Sequence, residues 1–233
     1  MTFCFLSALN AEIQYLLDCS TIEKEEQLGF AKLYTLNYKD VRYFVCVSGV
    51  GKVLSGSAAT ACCIAHPEID AFINIGIGGS LDASKAPLLS AILGSSFVQH
   101  DMDTSALGDP YGYLDGLKCV EIPADPVLNQ KIEQACAALN ILFCRGVIAS
   151  GDHFIADQKG KDVIMERFHA LLIDMETAAF AEACYVYHKP FACVRIVSDA
   201  VDHDVEYWQN KRPAGKRGAE VALCLLRLEN GIE

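Results

Sequence analysis

Apolar positions along this chain alternate between two patterns, short runs of strand length and longer stretches with helical spacing. Thr2 to Ala8 is strand-like, and Glu12 to Leu17 opens a helix with Ile13, Leu16 and Leu17 on one side. Phe30 to Leu36 and Arg42 to Val47 alternate as two strands joined by a turn at Asn37 to Asp40. Gly51 to His66 carries small residues at helical spacing, and Ile69 to Ile75 is a strand running into Gly76-Ile77-Gly78-Gly79-Ser80. Leu88 to Val98 is largely apolar, and a polar loop follows from His100 to Tyr113. Asp125 near an N-cap and Pro126 in the first turn start a helix to Leu139. Phe143 to Ala149 reads as a strand, Gly160 to Phe168 as a short helix, Leu171 to Ile173 as a strand and Glu176 to Tyr187 as a helix. Pro190 starts a strand through Val194, and Ala214 to Leu228 is a last amphipathic helix.

Strands alternating with helices predict an α/β protein, a three-layer α/β/α sandwich whose central sheet is mixed because of the early hairpin. A chain of 233 residues is long enough for one sizeable core, so a single domain over 1–233 is expected. Composition narrows the function. A net charge of -11 gives no footprint for phosphate backbones, and the basic group Lys211, Arg212, Lys216, Arg217 reads as a solvated stretch, so no nucleic-acid partner is expected. The apolar run after Met1 lacks a basic flank and is too brief to span a membrane, so it reads as the first strand. The 11 cysteines are odd in number, scattered through apolar stretches and never spaced CxxC, a pattern of reduced thiols in a cytoplasmic protein.

Charge inside apolar sequence marks the candidate chemistry. Asp174-Met175-Glu176 interrupts an apolar stretch, and Asp199 ends the run Phe191 to Ser198. Carboxylates at strand ends of an α/β protein line ligand crevices. Gly76-Ile77-Gly78-Gly79 fits neither GxGxxG nor a P-loop, which leaves a structural turn or the floor of a small-ligand site. In Ser150-Gly151-Asp152-His153-Phe154 the aromatic either stacks on a planar ligand or joins the core. His100-Asp101-Met102-Asp103 and Asp202-His203-Asp204 lack a complete metal-ligand pattern, there is no GxSxG elbow, and Cys62 and Cys63 sit where thiols are inert; no metal or organic cofactor is expected.

Taken in order, Ala8 to Glu12, Ser48 to Val53, Ile73 to Gly76, His100 to Asp103, Ser150 to Ile155, Asp174 to Glu176 and Arg195 to Asp199 resemble the nucleoside phosphorylase/hydrolase superfamily. The resemblance is nearest to its bacterial methylthioadenosine/S-adenosylhomocysteine nucleosidases and the related futalosine hydrolases. It implies cleavage of the bond between a purine and C1′ of ribose through an oxocarbenium-like transition state. The departing purine then needs a proton, the ribose nearby negative charge, and the incoming water a base. By the resemblance, Asp199 protonates the purine, held by Ser198, and burial would keep it protonated near neutral pH. Glu12 accepts a proton from water, Glu176 holds ribose hydroxyls, and Met175 packs on the sugar. Phe154 stacks on the purine, Ile155 offers backbone hydrogen bonds to its edge, Val50 lines the sugar side, and Arg195 organises the acidic loop.

Phosphorylase relatives place arginines after the first strand and before the glycine loop, where this chain has Asn10 to Ile13 and Phe72 to Ile75, so water is the expected nucleophile. Departures from the nucleosidases bear on the 5′ substituent. Ile77 beside Gly78 replaces a hydroxyl residue at the pocket floor, Leu107 stands for a phenylalanine, and Asp174 stands where a glutamate is commoner. These changes favour the carboxyphenyl-ketone arm of futalosine or aminodeoxyfutalosine, with the thioether nucleosides as the other candidates. The resemblance also implies a homodimer, whose 100–113 loop reaches across to cover the 5′ substituent.

Overall fold

Every residue of the first strand is buried, and its alternation feeds two separate cores. The computed structural model describes residues 1–200 and 203–232. Of His203 and Asp204 only the backbone is described, so the Asp202-His203-Asp204 group lies outside the described side chains. The elements in order are β1 (Phe3–Ser7), α1 (Asn10–Cys19), β2 (Thr21–Leu28), β3 (Ala31–Tyr38), β4 (Val41–Val47), α2 (Lys52–Ala65), β5 (Ala71–Ser80), β6 (Ala91–Gln99), β7 (Ile122–Pro123), α3 (Pro126–Ala138), β8 (Phe143–Ser150), α4 (Gln158–Phe168), β9 (Ala170–Asp174), α5 (Thr177–Val186), β10 (Phe191–Asp199) and α6 (His203–Asn230). No described helix is long and apolar enough to cross a membrane.

Phe3 and Phe5 of β1 join Ile13 and Leu16 of α1, Leu128 and Ile132 of α3, and the Val221 to Leu226 stretch of α6 in one core. Cys4 and Leu6 point the other way, onto Ala59 and Cys62 of α2 and Phe180 and Cys184 of α5. Helices therefore cover both faces of a mixed sheet, the three layers expected. The sheet also closes on itself. β5 pairs in parallel with β10, β10 antiparallel with β6, β6 in parallel with β8, β8 in parallel with β9, and β9 antiparallel with β5. From β5 the sheet extends through β1, β4 and β3 to β2.

Three expectations are revised. The glycine run is no turn: β5 continues to Ser80, and the glycines keep backbone clear for neighbours. A Cβ at Gly76 would lie 2.4 Å from Arg195 Nη1 and 2.7 Å from Glu12 Oε1. The last helix starts at His203 rather than Ala214 and carries Pro213 inside it, which a reading that stops helices at proline places wrongly. β2 went unread because Thr21–Leu28 is polar and mostly exposed, with no alternation to detect. The hairpin holds: Lys39 and Asp40 both have positive φ, 50° and 67°, which suits a tight link between β3 and β4.

Candidate active site

The chain leaves β1 at Ser7 and enters α1, whose third residue, Glu12, is 3% exposed. Its Oε2 accepts from Ser7 Oγ at 2.6 Å and from the N–H groups of Ala8 and Leu9 at 3.2 and 3.0 Å. Oε1 accepts from the Ile77 N–H at 3.1 Å. A carboxylate at a helix N-terminus is favoured by the free N–H groups there, and these four bonds fix its rotamer. Gly215 of α6 lets that turn pack closely, since a Cβ there would lie 3.1 Å from the Glu12 Cα.

Arg195, on β10 and 1% exposed, sits among acids. Its Nε lies 2.9 Å from Asp174 Oδ2, Nη2 donates to Glu176 Oε2 at 3.2 Å, and Nη1 donates to the Ile77 carbonyl at 3.0 Å while standing 3.9 Å from Glu12 Oε1. Asp174 has both oxygens engaged inside the protein. Oδ1 takes Ser150 Oγ at 2.5 Å and the N–H groups of Glu176 and Thr177 at 3.2 Å each, capping α5. Oδ2 takes Arg195 and the Thr177 hydroxyl. Glu176 Oε1 accepts from the Gly51 N–H at 3.2 Å.

Burial raises the Glu176 carboxyl from its ordinary 4.5 to about 7; Arg195 opposes this, and Asp174 and Glu12 add to it. Between those values the native protein keeps a proton the unfolded chain has released. The stability that protonated Glu176 provides is therefore complete below about 4.5 and lost as pH rises through about 7. Glu176→Gln, with nothing to titrate there, is expected to rise in thermal midpoint relative to wild type across that window and to run parallel above it. Melts over a pH series check this, and a constant offset throughout would remove Glu176 as the titrating group.

Asp199 closes β10 and is 4% exposed. Pairing with β5 runs Val197 to Gly78 and then Asp199 to Gly79, so Ser198 is an extra residue in a bulge. Bulges re-aim side chains next to active sites. The Ser198 hydroxyl stands 2.7 Å from Asp199 Oδ1 and 3.3 Å from the Gly78 carbonyl.

These groups share one cavity of 320 Å³, within the size range of small-molecule sites. Glu12, Glu176, Arg195, Ser198 and Asp199 line it, as do Val50, Ile77, Gly78, Met175, Phe154 and Ile155. Phe154 is 47% exposed, so it faces the cavity rather than the core. Leu107 is not brought to this cavity; it is 84% exposed on a short 3-10 turn at Ser105–Leu107. The structure adds Leu9, His153, Ile173, Tyr207 and Trp208 to the lining. Tyr207 meets Phe154 edge to face at 5.9 Å and Trp208 at 5.4 Å. Burial and the charges of Glu12, Asp199 and Glu176 raise the Tyr207 phenol, which keeps its proton at the cavity. The aromatic pair was visible in sequence, but only the helical start at His203 turns it toward the site.

A mixed sheet covered on both faces, with buried acids converging on a cavity at the strand ends, defines a class of small-molecule enzyme folds. Residues 2–228 match the model of the phosphorylase superfamily, and the chain belongs to that superfamily. Among its relatives is the 5′-methylthioadenosine/S-adenosylhomocysteine nucleosidase of Oceanobacillus iheyensis, 28% identical over 97% of this chain and 99% of that one. S-adenosylhomocysteine nucleosidase from Streptococcus pyogenes, solved with 5-methylthiotubericidin, superposes with a TM-score of 0.89 at 30% identity, covering 98% of this chain and 97% of that one. Futalosine hydrolase of Helicobacter pylori superposes with a TM-score of 0.91 at 24% identity, covering 98% of each chain, which bears on the fold alone.

Proposed function

We propose that this protein is a nucleosidase that hydrolyses the N-glycosidic bond of a 5′-substituted purine nucleoside with water as the nucleophile. The observation that carries the reading is the convergence of Glu12, Glu176 and Asp199 on one cavity. Asp199 donates a proton to the departing purine. The Ser198 hydroxyl donates to Asp199 Oδ1, which fixes the carboxyl and leaves Oδ2 as the oxygen from which a proton passes to the purine. Glu12 takes a proton from water. Its Oε2 carries three hydrogen bonds, whereas Oε1 carries one and keeps an acceptor direction for that water. Glu176 receives the ribose hydroxyls beside Met175 and Val50, Phe154 stacks on the base, and Ile155 meets the edge of the purine.

Charge supports water over phosphate. A phosphate nucleophile needs cations or a ring of donors, yet Arg195 is already held by Asp174, Glu176 and the Ile77 carbonyl. Among the described residues no lysine lines the cavity. Ile77 and Ile173 give the floor an apolar surface that suits an extended 5′ arm.

Mass-spectrometric product analysis with methylthioadenosine, S-adenosylhomocysteine, futalosine, aminodeoxyfutalosine and inosine, each with and without phosphate, tests the reading. Free base and free sugar from the futalosine pair alone place the protein in menaquinone synthesis; release from the thio-nucleosides places it in methionine salvage. Ribose 1-phosphate formed only with phosphate makes it a phosphorylase, and tight binding without turnover overturns catalysis altogether.

The working form in this reading is a homodimer. Leu107 is exposed and lies outside the cavity that holds the acids, and α2 and the end of α5 present exposed Val53, Val186 and Tyr187 beside an open groove. Such a face fits a second copy. Light scattering is expected to give twice the chain mass, and a monomer at assay concentration would remove Leu107 from the site. Eleven unpaired cysteines support a cytoplasmic setting.

A further inference from the structure

Lysines are rarely fully buried, and Lys161 of α4 is 1% exposed. The helix is otherwise a polar surface element, fixed by Ile164 and Phe168 against the ends of β8 and β9 and capped by Asp157, whose side chain accepts the Gly160 N–H at 2.9 Å. Nζ of Lys161 donates to the Ser80 carbonyl at 2.7 Å and stands 3.5 Å from the Ala200 carbonyl. Ser80 and Ala200 are the residues that follow Gly79 and Asp199, and Gly79 with Asp199 is the last rung between β5 and β10.

That rung is weakly determined by the ladder itself. It comes after the bulge at Ser198, where regular pairing is interrupted, and β5 is at the same time drawn toward β9 through Gly79 with Ile173 and Ser80 with Leu172. Beyond it the two strands part. The ammonium reaches a carbonyl on each side of the parting, one of them on the residue that follows Asp199. Burial lowers the Lys161 ammonium from its ordinary value, and the negative charges of Asp199 and Glu206 act against that, so the same group sets its charge toward the acid.

We infer that Lys161 is a positioning residue for the acid Asp199: by tying the ends of β5 and β10 together just past their last rung, it fixes where that carboxyl meets the leaving purine. The inference rests on the nucleosidase reading. It differs from a general packing role in one respect: it concerns the step that needs an acid and no other.

The experiment compares two substrates carrying the same 5′ substituent, the purine nucleoside and the 4-nitrophenyl riboside, whose leaving group departs as a stable anion without protonation. Wild-type release of free base on the first confirms that the reading itself stands; no release there overturns the reading, whatever the variants do. Given release, Lys161→Met is expected to lower kcat on the purine nucleoside by about 10²-fold, the scale of a misplaced catalytic group, with KM little changed. On the nitrophenyl riboside it is expected to stay within a few-fold of wild type. Lys161→Arg, which keeps charge and donors, is expected to restore most of the purine rate. Equal losses on both substrates, or an unchanged purine rate, overturn the inference. If Lys161→Met does not fold, Lys161→Gln goes through the same pair, with the same two outcomes deciding.

Discussion

Asp199→Asn is expected to lower release of free base by about 10³-fold or more, within the range associated with losing a positioned acid together with its charge. The amide is the same size and its oxygen can still accept from Ser198, so the bulge and the rung to Gly79 have no reason to change. What it cannot do is pass a proton to a departing purine, which must then leave as an anion. Base release followed by chromatography, with circular dichroism and a thermal melt as controls for folding, checks the result. Undiminished turnover by a folded variant would take the acid's role away from Asp199.

The second large effect concerns stability. Arg195→Met is expected to cost about 3–5 kcal/mol, because removing one partner of a buried ion network leaves the others uncompensated. Here the partners are Asp174 and Glu176, with Glu12 at 3.9 Å, all buried from water at the cavity's base. For a chain of this size that corresponds to a fall of roughly 6–20 °C in thermal midpoint. Arg195→Lys should recover only part of it, since a point charge cannot reach Asp174, Glu176 and the Ile77 carbonyl together as the planar fork does. Denaturant titration checks both variants. A loss under about 1 kcal/mol for the methionine variant would mean that the acids find other partners, contrary to the cost expected of a broken buried pair.

The comparison of sequence with structure divides along physical lines. Where burial imposes a period, the pattern was legible: β1, α1, β3, β4, α3 and β10 all fall close to their expected positions. Acids set in apolar sequence were equally visible, because burying a charge is costly and Glu176 and Asp199 stand out against such neighbours. Legibility failed where burial was not the cause of structure. β2 is held by its ladder to β3 while its side chains remain in water, so nothing in Thr21–Leu28 announces a strand. Lys161 was hidden for the opposite reason: among Gln158, Lys159 and Asp162 it looks like another solvated residue, and only the path of α4 under the strand ends buries it. The cavity-facing place of Tyr207 and Trp208 depends on how far α6 extends past Pro213 toward its start, which local sequence does not state.

The exposed charge of β2 also bears on the edge of the sheet. A closed ring leaves little of the sheet unpaired, and the long unpaired edge that remains belongs to β2, where open N–H and C=O groups invite strand-to-strand addition and aggregation. Glu23, Lys24, Glu25 and Glu26 occupy that edge, with Lys24 paired to Glu26 and Lys32 to Glu25. Adding an identical strand there would set its acids against their own kind. The charges of β2 thereby work against self-association by sheet extension, a protection built into a strand whose side chains add nothing to the core.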